Sequence, residues 1–293
     1  MGIKYLPSYL EDHPRLKHMV HFNRTERRRD GRNLLIWDAL GWLHRCFGSH
    51  DRATKLLFDF KVLDAECQRI VAAFQRFGFE VVAFIDGYFC RHKVGEKRKR
   101  KRRSLNSVRK YVETLHELHR SPSLAKRRAI EKKLKFVPST IYPHVLEQAL
   151  SRSGCRVHRG SGLNDIDQDI ARFAAEHRRS VYGVISCDSD YFGFFDLPKE
   201  LKLITAFHAK SRRLSLTFYR AAELWSALGL HRKRQRLELI SVVGNDFVPK
   251  RSPSTLLRRC GLNPDRLTPK SVCFPIFTEN PFDFPLWSKR RTL

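Results

Sequence analysis

Three apolar runs in the chain each end in aspartate. Asn33-Leu34-Leu35-Ile36-Trp37 runs into Asp38, and Phe79-Glu80-Val81-Val82-Ala83-Phe84-Ile85 into Asp86. Tyr182-Gly183-Val184-Ile185-Ser186-Cys187 runs into Asp188, with Asp190 two residues on. Further acids stand in Asp165-Ile166-Asp167-Gln168-Asp169, at a predicted helix start, and at Asp246 in Gly244-Asn245-Asp246. A lone aspartate after a strand commonly caps the next helix or turn. Acids at a helix start also complement its dipole. So many carboxylates at one edge would nevertheless repel one another unless cations neutralise them. Hard oxygen donors at that density suit Mg²⁺ or Mn²⁺. Two such ions about 4 Å apart can hold the attacking and leaving oxygens of a phosphodiester displacement. The expected chemistry is therefore metal-assisted hydrolysis of a phosphodiester.

The elements that must position these acids follow from the pattern around them. Short runs rich in β-branched residues read as buried parallel strands. In an open parallel sheet the site lies beyond the carboxyl ends of the strands. Residues 58–77, between the first two runs, show helical periodicity, which is βαβ spacing and implies a parallel pair. Helices are expected at 7–12, through Trp42 to Cys46, at 142–152, 164–176 and 220–228. Strands are expected at 154–158, 182–187, 201–206 and 213–218, and 237–243 leads to Asp246. The expected fold is α/β, a central mainly parallel sheet with helices on both faces and a basic helical insertion. Residues 1–250 form that domain, with the insertion at about 91–135; residues 251–293 are a basic extension containing Pro and Phe.

The chain has 293 residues, 42% of them hydrophobic, enough for one large domain or two small ones. Its net charge of +27 points to a polyanionic partner, nucleic acid first and an anionic membrane second. Within Arg91 to Arg103, nine of thirteen residues are Lys or Arg, so packing cannot hold this segment. It reads as a solvated arm or helical arch, or as a nuclear localisation signal. Membrane binding ranks low because the arm lacks an amphipathic apolar face, and protein partners are left open. The seven cysteines are odd in number with no Cys-x-x-Cys pair, which argues against a zinc ribbon or a disulfide framework. A reducing compartment is expected, with the nucleus favoured and the cytosol open. No apolar stretch approaches the 18 or more residues of a membrane span, and the N-terminus has no signal-peptide core.

At these residues the chain resembles the structure-specific 5′ nuclease superfamily, the flap endonuclease/XPG group with its PIN-like fold. Met1-Gly2-Ile3-Lys4-Tyr5-Leu6 is similar to that family's N-terminal signature, and Leu35-Ile36-Trp37-Asp38 to its first strand and aspartate. Val82-Ala83-Phe84-Ile85-Asp86-Gly87 resembles its second, Ser186-Cys187-Asp188-Ser189-Asp190-Tyr191 its Asp-x-Asp motif, and Val243-Gly244-Asn245-Asp246-Phe247 its last acidic loop. The resemblance implies two divalent ions, Mg²⁺ or Mn²⁺. It puts Asp38, Asp86, Asp165 and Asp167 around one, and Asp188, Asp190 and Asp246 toward the other, with Asp167 between them. It implies that a Lys and an Arg seven residues apart, Lys93 and Arg100, reach the scissile phosphate. It also implies that Lys97, Arg98, Lys99, Lys101, Arg102 and Arg103 meet nucleic acid, that Gly2 lies near the site, and that His44 takes the place of a base-stacking aromatic. Within the superfamily the asteroid group is most similar, through Asn164 to Ile170 and the run from Ser186 to Leu197. Two departures stand out. The family usually has Glu where Asp165 and Asp167 stand, and Val248 to Pro253 replace its duplex-gripping helical hairpin. The implied function is a metal-dependent nuclease for single-stranded or branched DNA or RNA; the alternative is an asteroid-like nucleic-acid-binding adaptor or coactivator.

Overall fold

The structure is a computed structural model that describes residues 6–23, 33–42, 60–87, 94–132, 141–160, 165–193, 200–209 and 213–228. The chain divides into two compact units. The larger comprises Met19–Cys187 and Ile204–Thr217, and the smaller Met1–His18, Asp188–Leu203 and Phe218–Leu293.

The larger unit is organised by a seven-stranded sheet in the order β1-β7-β6-β5-β2-β3-β4. Its strands are β1 His18–Asn23, β2 Leu34–Asp38, β3 Glu80–Ile85, β4 Arg156–Arg159, β5 Val181–Ile185, β6 Lys202–Ala209 and β7 Arg213–Arg220. The central strand β2 pairs in parallel with both β3 and β5, and β3 pairs in parallel with β4. β6 and β7 are neighbours joined by three residues, a link that allows only an antiparallel pair, so the sheet is mixed.

β2, β3 and β5 are apolar on both pleat faces because both are covered. Leu35, Ile36 and Trp37 are each fully buried although successive side chains point to opposite sides. On the Trp37 side stands helix α2, Phe60–Arg76, whose Phe74 meets Phe207 of β6 at 5.0 Å between ring centroids. Trp37 meets Phe207 edge-on on the same side, and helix α5, Tyr142–Arg152, packs against α2. On the opposite side stands helix α6, Ile166–Glu176, whose Phe173 packs edge-on against Phe84 at 5.4 Å. Phe84 pairs with Asp38 across one ladder and with His158 across the other, so all three side chains issue on the α6 face. The expected α/β fold with helices on both faces of a mainly parallel sheet is the fold found.

His158 gives this face a pH dependence. Its imidazole stacks on Phe84 at 5.0 Å and tilts against Phe173 at 5.4 Å, and its Nε2 is buried with no hydrogen-bond partner among the described residues. Burial holds its pKa below the usual histidine value, helped by the nearby Arg156 and His177. An unfolded histidine takes up its proton near pH 6.5. The folded imidazole resists that proton, so its share of stability is present above about pH 6.5 and is lost as pH falls through the lower folded value. Thermal melts from pH 7.5 down to 5 should therefore fall less steeply for His158→Phe than for the wild type. An equal fall in both proteins would remove His158 as the source.

The charged segment after β3 is helical, as expected. Helix α3 runs from Val94 to Arg120 and helix α4 from Leu124 to Glu131, capped by Ser123 through its hydroxyl. All ten residues from Lys101 to Lys110 are exposed, as are Arg98 and Lys99. At 1.5 Å per residue the 27 residues of α3 span about 40 Å.

In the smaller unit, helices α1, Leu6–Asp12, and α7, Ala221–Ala227, accompany a 3₁₀ turn, Ser189–Gly193. Trp225 Nε1 donates to the Phe192 carbonyl at 3.0 Å, tying α7 to that turn. His18 and Arg220 both hold the Glu223 carboxylate.

Candidate carboxylate site at the strand ends

Asp38 is the last residue of β2, at the carboxyl edge of the sheet. The helical turn that follows starts at Ala39, and Gly41 N–H donates to Asp38 Oδ1 at 3.5 Å, so Asp38 also caps that turn. Its other oxygen, Oδ2, accepts a 2.7 Å hydrogen bond from Ser186 Oγ. Ser186 follows β5 directly and stands level with Asp38, because Trp37 pairs with Ile185. It is 3% exposed, so its hydroxyl is held by packing as well as by the carboxylate. Gly41 leaves room for the same group: a Cβ there would lie 3.1 Å from Asp38 Oδ2. Ser186 and Gly41 thus fix the Asp38 carboxylate from two sides.

Asp86 lies one residue beyond β3 and is exposed. Asp38 pairs with Phe84, so Asp86 stands one strand over and two residues further along, roughly 8 Å away between Cα atoms. The pleat carried one residue past β3 puts it on the α6 face, with Asp38. The β3–β4 ladder also continues past its last pair, since Gly160 N–H donates to Ile85 O at 3.0 Å.

The first turn of α6 starts beside that edge. A Cβ on Gly160 would stand 3.0 Å from Gly87 N and 3.2 Å from Ile166 Cδ1. A larger residue there would be tight and push its neighbours apart by a few tenths of an ångström, so glycine eases this approach of β4, the Asp86-Gly87 strand end and the start of α6. Asp165 is the N-cap residue of α6 and makes no side-chain capping hydrogen bond, while Asp167 and Asp169 lie in its first turn. Asp169 also lies 3.8 Å from Arg172. The larger unit therefore sets Asp38 and Asp86 at one edge of the sheet, and the start of α6, where Asp165 and Asp167 lie, approaches that edge through Ile166.

Asp188 and Asp190 belong to the smaller unit. Asp188 Oδ1 accepts from Asp190 N–H at 3.0 Å, so Asp188 caps the Ser189–Gly193 turn. Both aspartates are partly buried. Lys97 and Arg100 lie within α3, and Arg98, Lys99, Lys101, Arg102 and Arg103 are exposed on it. Gly2, His44, Lys93 and Asp246 lie outside the described residues. Among the described residues, no group of three or more His, Cys, Asp or Glu side chains is arranged to hold a metal ion. The donor chemistry still suits one: oxygen-only ligands from separate elements, at an edge where Asp38 is already oriented by hydrogen bonds.

Sequence reasoning missed Ser186, Gly41 and Gly160. Two signals were available. Asp-x-x-Gly after a strand is a capping pattern, and a serine two residues before an Asp-x-Asp pair sits level with the first aspartate when the strands pair in parallel.

No family model matches the chain, and no curated protein matches it. Among solved structures, the chain is similar to the catalytic core of Rad2 in complex with DNA substrate. The TM-score is 0.53 and the identity 18%, over 89% of this chain and 70% of that one. At that identity the likeness shows a shared α/β fold.

Proposed function

We propose that this chain is a metal-dependent nuclease acting on single-stranded or branched DNA or RNA. What supports the proposal is the position of Asp38 and Asp86 at one strand-end edge, with the start of α6, which carries Asp165 and Asp167, beside it. That edge belongs to a fold shared with a catalytic core solved with DNA substrate. In this reading Asp38, Asp86, Asp165 and Asp167 would hold one Mg²⁺ or Mn²⁺, and Asp188, Asp190 and Asp246 would hold a second. When bound, such ions polarise the phosphate and lower the pKa of a water. The chain's own residues do the rest. Ser186 and the Gly41 amide keep the Asp38 carboxylate in one orientation. Lys97, Arg98, Lys99, Lys101, Arg102 and Arg103 attract the phosphate backbone, and Lys93 and Arg100 reach the phosphate to be cut. In the same reading, as the family resemblance implies, Gly2 would serve near the site and His44 would take the base-stacking role. A polyanionic target and the run Lys97 to Arg103 agree with a nuclear location.

A second reading is an asteroid-like adaptor that binds nucleic acid and has lost the metals. Two observations favour it: the described acids form no group arranged for a metal, and Asp165 and Asp167 are each one methylene shorter than Glu. Melting the full chain with and without Mn²⁺ separates the readings. For the nuclease, metal at a hundredfold excess over Kd should add about 2.7 kcal/mol of stability. If only a variant with Asp165→Glu and Asp167→Glu responds, the adaptor reading holds. If neither protein responds, the ligand set is wrong.

A further inference from the structure

Helix α3 carries a feature that phosphate binding does not need. Leu105, Val108 and Val112 are 59%, 42% and 44% exposed, and Leu115 is partly exposed. Their spacing of three, four and three residues is that of the a and d positions of two heptads, a single seam along the helix. The expectation that the basic arm has no apolar face therefore does not hold for 105–115. The seam borders the side by which α3 is anchored, since Tyr111 stands three residues from Val108 and four from Leu115, but Leu105, Val108 and Val112 remain exposed. The anchor on that border is Tyr111, which is buried at 8% exposure beside Tyr142, whose phenol is pushed up to about 12 by its own burial and by Tyr111.

The residues along one edge of the seam select its occupant. In these heptads the e positions are Arg109 and His116, and the preceding heptad has Arg98, Lys101 and Arg102 at a, d and e. The e and g positions set partner choice in paired helices, and like charges facing one another there are repulsive. A second copy packed antiparallel would set these basic e rows against each other, and one packed parallel would set Arg98 and Lys101 against their own counterparts. An acidic row would instead pair with Arg102 and Arg109 while its apolar residues cover the seam. Nucleic acid would engage the cations and leave the seam bare.

We propose that the 105–115 face of α3 is a docking surface for an amphipathic helix of another protein, with leucine-like residues at heptad spacing and Asp or Glu along their edge. This is helix-on-helix recognition through a short apolar row. It does not depend on the nuclease reading. The C-terminal end of the face adds direction. There the edge opens into a groove of about 580 Å³ lined by Glu113, His116, Glu117, Arg120, Ser121 and Lys126, among others. Its two glutamates disfavour further acids, so the partner's acidic row lies over Arg98 to Arg109.

The test uses the full chain and synthetic helical peptides of about 20 residues. One carries Leu at a and d with Glu at e and g, a second carries Lys at e and g, and a third keeps Glu but has Ser at a and d. Only the first should bind. A variant with Leu105→Ser, Val108→Ser and Val112→Ser, all at exposed positions, should weaken it by about tenfold or more. The same variant should keep its affinity for a single-stranded oligonucleotide to within about twofold, since these side chains make no phosphate contact. Equal binding of the Ser-containing acidic peptide would reduce the effect to charge and overturn the proposal. So would failure of the first peptide to bind, or seam-dependent binding to phosphatidylserine-containing vesicles in its place.

Discussion

Neutralising two acids at the strand ends, by Asp38→Asn together with Asp86→Asn, is expected to lower cleavage by about three orders of magnitude or more, the scale of removing a preorganised electrostatic contribution. The fold should survive. The side-chain amide introduced by Asp38→Asn keeps an oxygen to accept from the Gly41 N–H, and Ser186 can turn its hydroxyl to accept from the new NH₂ group. Asp86 is exposed, so its replacement leaves no buried group unsatisfied. Removing charge from an edge crowded with carboxylates should also hold or raise metal-free stability. The companion variant Ser186→Ala acts through Asp38 and should do less, about 10- to 100-fold in activity or metal affinity, as for partners that orient a metal ligand. Single-turnover cleavage with a melt of each variant measures both effects. A double variant that cuts at the wild-type rate would remove Asp38 and Asp86 from the mechanism.

The second large effect concerns salt. Replacing the seven cations Lys97 to Arg103 with Gln and Ser should flatten the dependence of nucleic-acid affinity on salt. Each phosphate contact contributes a slope of about −0.9 on duplex and about −0.7 on single strands. If most of the seven make such contacts, wild-type affinity should fall by about a thousandfold between 50 and 200 mM salt, and the variant's far less. The loss should be uniform over sequences, because phosphate contacts carry no base information. The exposure of Arg98, Lys99 and Lys101 to Lys110 makes those side chains available for contact. An unchanged slope would leave the run as a localisation signal only.

How much of this was legible in the sequence depends on how strongly each element is buried. β2, β3 and β5 are covered on both faces and read as continuous apolar runs, so their aspartate ends were readable. The helices 60–76, 142–152 and 166–176 each carry an apolar stripe and were found within a few residues. β1 was missed, since it ends the strand order, its His-Met-Val-His-Phe-Asn run has no clear alternation, and Met19 is 60% exposed. β4, at the other end, was placed early, at 154–158 rather than Arg156–Arg159, because an edge strand of two arginines, a valine and a histidine has little apolar signal. β5 starts and ends one to two residues before the expected 182–187 and leaves Ser186 just past its end, where it meets Asp38. The plain reading of the aspartates was true in part as well. Asp38 and Asp188 both cap turns, and a carboxylate can cap a turn with one oxygen and present the other to a partner.

The most direct measurement is cleavage by the purified full chain of end-labelled flap, hairpin and single-stranded substrates, in DNA and RNA, with Mg²⁺, Mn²⁺ or chelator. A nuclease built on this edge should give discrete products on at least one substrate with Mg²⁺ or Mn²⁺, none with chelator, and none when Asp188→Asn and Asp190→Asn are combined. Tight, salt-sensitive binding across the whole panel with no product under any metal would contradict it and leave a nucleic-acid-binding adaptor.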